Sequence, residues 1–97
     1  MDYSKYTVEK FKDVQALQDF YEAGNKLKYD YVIVGGILYT QHEYDMDGRT
    51  VTWANKKHNM MIEVVTSNRY GELGYTDAKV SIYSEAPYLR NDITYAE

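Results

Sequence analysis

The chain contains no cysteine, which excludes disulfides, thiolate zinc sites and a cysteine nucleophile. Proline occurs once, at Pro87, so no Pro-rich linker divides the 97 residues. Basic residues are scarce: 11 Lys and Arg stand against 15 acids, for a formal net charge of −4. Binding to nucleic acid through phosphates needs clustered Lys and Arg, and this balance disfavours it. Long apolar runs are also missing. The longest uncharged apolar stretch, from Tyr31 to Tyr39, is too short to cross a bilayer. Met1-Asp2-Tyr3-Ser4 has neither the basic nor the apolar region of a signal peptide. The location expected from these features is cytoplasmic, with no membrane partner.

What the chain has in excess is tyrosine. Twelve of its residues are Tyr, against two Phe and one Trp. A tyrosine ring is apolar but its hydroxyl needs a partner or water, which suits half-buried sheet faces and interfaces. A single domain of this length has a small core, and twelve such rings exceed what it can absorb. Some of them are therefore expected at the surface, in the role of rigid binding anchors.

The hydrophobic pattern changes period along the chain. Tyr6 and Val8 alternate loosely, as in a short strand. Val14, Leu17, Phe20 and Tyr21 then fall at helical spacing, with Gln15, Gln18, Asp19 and Glu22 on the other side. Asp13 is placed to cap this helix of about 11 residues, and Gly24-Asn25 to stop it. From Tyr29 the period is two. Residues 29–34 and 37–44 read as extended, with Gly35-Gly36 between them as a bulge or a point of close helix approach. Asp47-Gly48 marks a hairpin; a two-residue turn there sets Tyr44 opposite Val51 and His42 opposite Trp53. Met60 to Thr66 and Ala78 to Ser84 are further strands, joined by a loop from Ser67 to Asp77. The reading is one α+β domain over residues 1–97, with one amphipathic helix on a largely antiparallel sheet of about four strands. Residues 86–97 form a docked arm or a frayed tail.

Four partial motifs each have a simpler reading. Asp30 to Gly36 resembles the first strand and turn of Rossmann dinucleotide-binding proteins over seven residues. That fingerprint needs glycines at the third and sixth positions counted from Gly35, where this chain has Ile37 and Thr40, and no helix follows. Glu43-x-Asp45-x-Asp47-Gly48 suggests a calcium loop, but the twelfth position is Ala54 rather than an acid. His42 and His58 lack the spacing of a metal or catalytic pair. Lys56-Lys57-His58 beside Trp53 is a thin footprint for stacking on a single-stranded base. No cofactor, metal or catalytic residue is expected.

The stretch from Asn68 to Tyr75 is the best binding candidate. It combines Arg69, Tyr70, Glu72 and Tyr75 with two glycines, a mixture found in adaptable recognition loops. Tyr39, Glu43 and Asp45 are the other expected contacts. The function expected is that of a small acidic, non-enzymatic protein presenting tyrosines and acids to a protein partner. In size, acidity and lack of cysteine it resembles phage and mobile-element inhibitors of host nucleases or defence proteins. The alternative is a small-ligand or nucleotide-binding domain that dimerises through an edge strand.

Overall fold

The computed structural model describes residues 5–44, 49–67, 77–85 and 89–96. Its elements in chain order are β1 (Glu9–Phe11), α1 (Val14–Glu22), β2 (Tyr31–Val34), β3 (Ile37–Tyr44), β4 (Thr50–Asn55), β5 (Met60–Thr66) and β6 (Ala78–Tyr83). The six strands form one sheet in sequence order. The α+β class with one helix is as expected, but the sheet has six strands rather than about four. It is mixed, because β1 and β2 run parallel on either side of α1 in the chain. Only three residues long, β1 is too short to show a clear period of two.

The ends of α1 follow from local chemistry. Asp13 Oδ1 accepts the Ala16 N–H at 2.9 Å, satisfying one of the donors left open at a helix start. At the other end Gly24 takes φ +83°, its N–H bonds to Tyr21 O, and the Asn25 N–H bonds to Phe20 O. These two bonds make a Schellman stop. The helix has nine residues.

The Gly35-Gly36 pair is neither a bulge nor a close approach of the helix. It is the two-residue turn of the β2–β3 hairpin, with Val34 opposite Ile37 and both glycines at positive φ. Such a turn matches the natural twist of the strands and demands left-handed backbone at both positions, which glycine adopts without strain.

The β3–β4 pair has Tyr44 opposite Val51, as the alternation requires, but Gln41 rather than His42 stands opposite Trp53. The register shifts between Gln41 and Glu43, so the strand carries an irregularity at His42. Sequence pattern cannot reveal it, because one extra residue changes no residue type. The Asp47-Gly48 turn lies outside the described residues.

The sheet carries packing on both faces, on the side away from the helix only at its β2–β3 end. One face packs on α1: Leu17 and Tyr21 meet Val32, Val34, Tyr39, Val51, Trp53, Ile62 and Val64. The helix touches both edge strands, β1 and β6, so the sheet must curl around it. Gln18, expected on the solvent side, turns to β6, and its Oε1 accepts the Val80 N–H at 3.2 Å. Trp53 is 1% exposed and is not available to stack on a base beside Lys56 and Lys57. On the opposite face Ile33 and Leu38 pack with Ala96, flanked by Tyr6, Val8 and Tyr31. The segment 89–96 is thus a docked arm. Its Ala96 N–H donates to Thr40 Oγ1 at 2.9 Å, a bond in a buried setting.

Asn55, 2% exposed, ties this architecture together from the end of β4. Its Nδ2 donates to Leu38 O at 2.7 Å, and its Oδ1 accepts the His58 N–H at 2.5 Å. One buried amide thereby spans β3 and shapes the β4–β5 turn.

Candidate functional site

The site is built where the β2–β3 hairpin meets the docked arm. The Gln41 N–H donates to Asp30 O at 2.8 Å, extending the ladder past the start of β2 and fixing Asp30 beside β3. At the next residue the irregularity in β3 directs His42 to the arm. His42 is 5% exposed, and its Nδ1 lies 2.7 Å from Tyr95 Oη. The same hydroxyl oxygen accepts the Arg90 N–H at 3.1 Å. Among the described residues the other ring nitrogen, Nε2, meets only the Glu43 carboxylate, at 3.8 Å, beyond hydrogen-bond reach.

Arg90 grips Asp92 with two parallel bonds, Nε to Oδ1 at 2.9 Å and a terminal nitrogen to Oδ2. This fork geometry suits guanidinium and carboxylate. The hydrogen bond from Arg90 holds the Asp92 carboxyl below its ordinary value, and the bond to Asp92 raises Arg90. The charge of Glu43 acts on Arg90 in the same direction, so these groups form one electrostatic neighbourhood.

Two shallow cavities open here. One, of about 430 Å³, is bounded by Asp30 and Tyr31, by β3 from Thr40 to Glu43, and by Arg90, Asp92, Ile93 and Thr94 of the arm. The other, of about 450 Å³, is lined by Lys5, Tyr6, Thr7 and residues 28–31. They share Asp30 and Tyr31, and so form one continuous surface. The Tyr6 and Tyr31 rings lie 4.8 Å apart, Lys5 Nζ sits 5.3 Å from the Tyr6 ring centre, and Tyr29 is 39% exposed. Tyr83, the other strongly exposed tyrosine among the described residues, pairs with Glu63 on β5.

Of the residues expected from sequence, Glu43 lines the first cavity and is exposed. Tyr39 is not a surface contact. It is fully buried on the helix side, with its hydroxyl near Met60 Sδ, because its place in β3 opposite Val32 turns it to the core. Burial raises its pKa above 10.0. Asp45, Arg69, Tyr70, Glu72 and Tyr75 lie outside the described residues; the Ser67–Asp77 hydrogen bonds close the base of the segment that carries the last four. His42 and Glu43 are brought together, whereas the His58 main chain serves the β4–β5 turn. Among the described residues no group of three or more His, Asp or Glu is set to hold a metal ion. No described helix is long and apolar enough to cross a membrane.

Sequence reasoning passed over Asp30, Tyr31, Arg90, Asp92 and Tyr95 as site residues. The arm has no periodicity to mark it, and only the Tyr-rich composition pointed toward this face. Compared with known protein families, curated proteins and solved structures, the chain matches none.

Proposed function

We propose that the domain is a non-enzymatic binding protein that engages a protein partner through the surface where Tyr6, Tyr29 and Tyr31 meet the docked arm. The observation that carries this reading is the clustering of the exposed Tyr29 with the half-buried Tyr6 and Tyr31 around two adjoining cavities, edged by Asp30, Glu43 and Asp92. Aromatic rings with one apolar body and one polar tip, surrounded by charged residues of both signs, have the make-up of protein interfaces. The net charge of −4 would steer encounter with a basic partner. Together with small size, this supports a role as an inhibitor of a nuclease or defence protein acting in the cytoplasm.

The test is affinity for a captured partner, compared across Tyr29→Ala, Tyr6→Ala and Tyr83→Ala. A tyrosine at the centre of an interface contributes about 2 kcal/mol, so the first two should weaken binding by roughly tenfold or more. Tyr83→Ala should leave it unchanged. Equal loss in all three, or in none, would refute the placement of the interface.

Cavities of about 430 and 450 Å³ are also of the size that small ligands occupy, which favours ligand binding as the second reading. Dimerisation through β6 is less supported, since Gln18 already occupies the Val80 N–H at that edge.

A further inference from the structure

We infer that the second half of edge strand β6, centred on Ile82, pairs antiparallel with the same segment of a second copy of this chain. This surface is separate from the tyrosine-lined cavities, which lie at the β2–β3 end of the sheet.

The edge is open over only part of its length. The Val80 N–H donates to Gln18 Oε1, so it does not serve β5. Along an antiparallel strand the main-chain groups face a given neighbour at every second residue. Lys79, Ser81 and Tyr83 therefore bond to β5, and the bond from Ser67 N–H to Asp77 O keeps the same alternation. Ala78, Val80 and Ile82 face outward. The Gln18 cap opposes pairing along the whole strand, but it reaches no further than the Val80 N–H. Beyond it, nothing among the described residues takes up the Ile82 N–H or C=O. Main-chain donors and acceptors left in this alternation are matched by another strand.

The side chains give a second, independent observation. Among the described residues four large apolar or aromatic side chains are strongly exposed, and Val65, Ile82 and Tyr83, all on the last two strands, are three of them. Ile82, 46% exposed, lies on the helix side in register with Ile62, and Tyr83, 43% exposed, lies on the opposite face. The edge is thus apolar above and below. The other edge of the sheet is blunted, since β1 has three residues with Lys10 at its centre and Lys12 just beyond.

The register identifies the occupant. Antiparallel pairing about Ile82 is self-complementary, as a twofold contact requires. Each Ile82 N–H meets the Ile82 C=O of the other copy, and the two side chains touch. Each Ser84 N–H meets the open Val80 C=O, so Gln18 keeps its place. Lys79 and Glu85 stand three residues before and after Ile82, and both are exposed. The pairing sets each Lys79 opposite the other copy's Glu85, with opposite charges facing on both sides of the axis. Parallel pairing in register would bring like charges together instead. On the outer face Ser81 stands opposite Tyr83, and the two Tyr83 rings become diagonal neighbours, within reach of aromatic side chains. So short a ladder makes a weak dimer, with a dissociation constant on the order of 100 μM.

The experiment is sedimentation velocity of the full chain from about 10 μM to about 1 mM, a range that brackets this constant, with amide hydrogen exchange at both ends. The expected result is a reversible monomer–dimer equilibrium. Exchange at Ile82 should slow as concentration rises, while Val80 and Ser81, already bonded in the monomer, change little. Lys79→Glu and Glu85→Lys should each weaken the dimer by about tenfold, because each sets two like-charged pairs across the axis. The double variant Lys79→Glu/Glu85→Lys restores the pairs at unchanged net charge and should recover wild-type association. Lys57→Glu, the same charge change in the exposed β4–β5 turn, should leave the dimer intact. All three positions are exposed, so the fold is retained. A monomer at every concentration, or a dimer in which Ile82 exchange is unaltered, would overturn the inference. So would single reversals no stronger than Lys57→Glu, or a double variant as weak as the singles.

Discussion

His42 Nδ1 and Tyr95 Oη, 53 residues apart in the chain, lie 2.7 Å apart across the junction of β3 and the C-terminal arm. The contact exists because an irregularity at His42 sends the ring to the arm's side of the sheet, away from Trp53. Tyr95 in turn holds Arg90 through its amide, so one hydroxyl positions both the wall of the cavity and the start of the arm.

Tyr95→Phe keeps the ring and removes only the hydroxyl. It leaves a nitrogen of the buried His42 and the Arg90 N–H without this partner, and should cost about 1–2 kcal/mol. Urea unfolding measures the cost, and hydrogen exchange at the Ala96 amide reports whether the arm has loosened. An unchanged midpoint together with an unchanged exchange rate would show that the hydroxyl does not secure the arm.

Asn55→Ala deprives both Leu38 O and the His58 N–H of their partner in a buried setting. A loss on the order of 2 kcal/mol is expected. Asn55→Asp retains the acceptor for His58 but not the donor for Leu38, so it should recover only part of the stability. If thermal unfolding finds Asn55→Asp equal to wild type, the bond to Leu38 is not what makes this residue important.

Gln18→Ala uncovers the Val80 N–H on edge strand β6. Exposed main-chain donors at a sheet edge recruit other strands. The variant should therefore self-associate more readily than wild type, read by sedimentation velocity over a range of concentrations. Gln18→Glu keeps an acceptor oxygen at the same reach and should stay close to wild type. Identical sedimentation of all three proteins would rule out this protective role.

Tyr39 responds to alkali. Burial raises its pKa above 10.0 in the folded protein, because the phenolate is poorly solvated there. The unfolded chain then gives up this proton at a lower pH than the folded one. The stabilising contribution is present below pH 10 and is lost as pH rises through the folded value. Tyr39→Phe cannot ionise, so its unfolding midpoint should fall less steeply above pH 10 than that of wild type. Parallel curves would mean that Tyr39 ionises as freely when folded as when unfolded.

The helix shows what local pattern can reveal. Asp13, the apolar spacing of Val14, Leu17, Phe20 and Tyr21, and the Gly24-Asn25 stop are all contained within about a dozen residues, and each acts through neighbours in the chain. The strands at Tyr31, Met60 and Ala78 were legible for the same reason. Gly35-Gly36 shows the limit: two glycines allow positive φ, but whether the chain turns back or runs on depends on what β3 pairs with. Tyr39 shows it again. Its residue type suits a surface or a core, and its partner Val32 decided for the core.

Composition and spacing alone determined the α+β class, the capped helix, most strand positions and the surplus of tyrosine, because these depend on residue type and on contacts within a few positions. Tertiary structure decided that β1 joins in parallel, that Gln18 seals an edge, and that the arm brings Arg90, Asp92 and Tyr95 to Asp30, His42 and Glu43. Those residues lie 47 to 65 positions apart at the extremes, counted as Arg90 minus Glu43 and Tyr95 minus Asp30. At such separations no periodicity links them; the packing of Ala96 against Ile33 and Leu38, with the hydrogen bonds from the arm to Thr40 and His42, sets their distance.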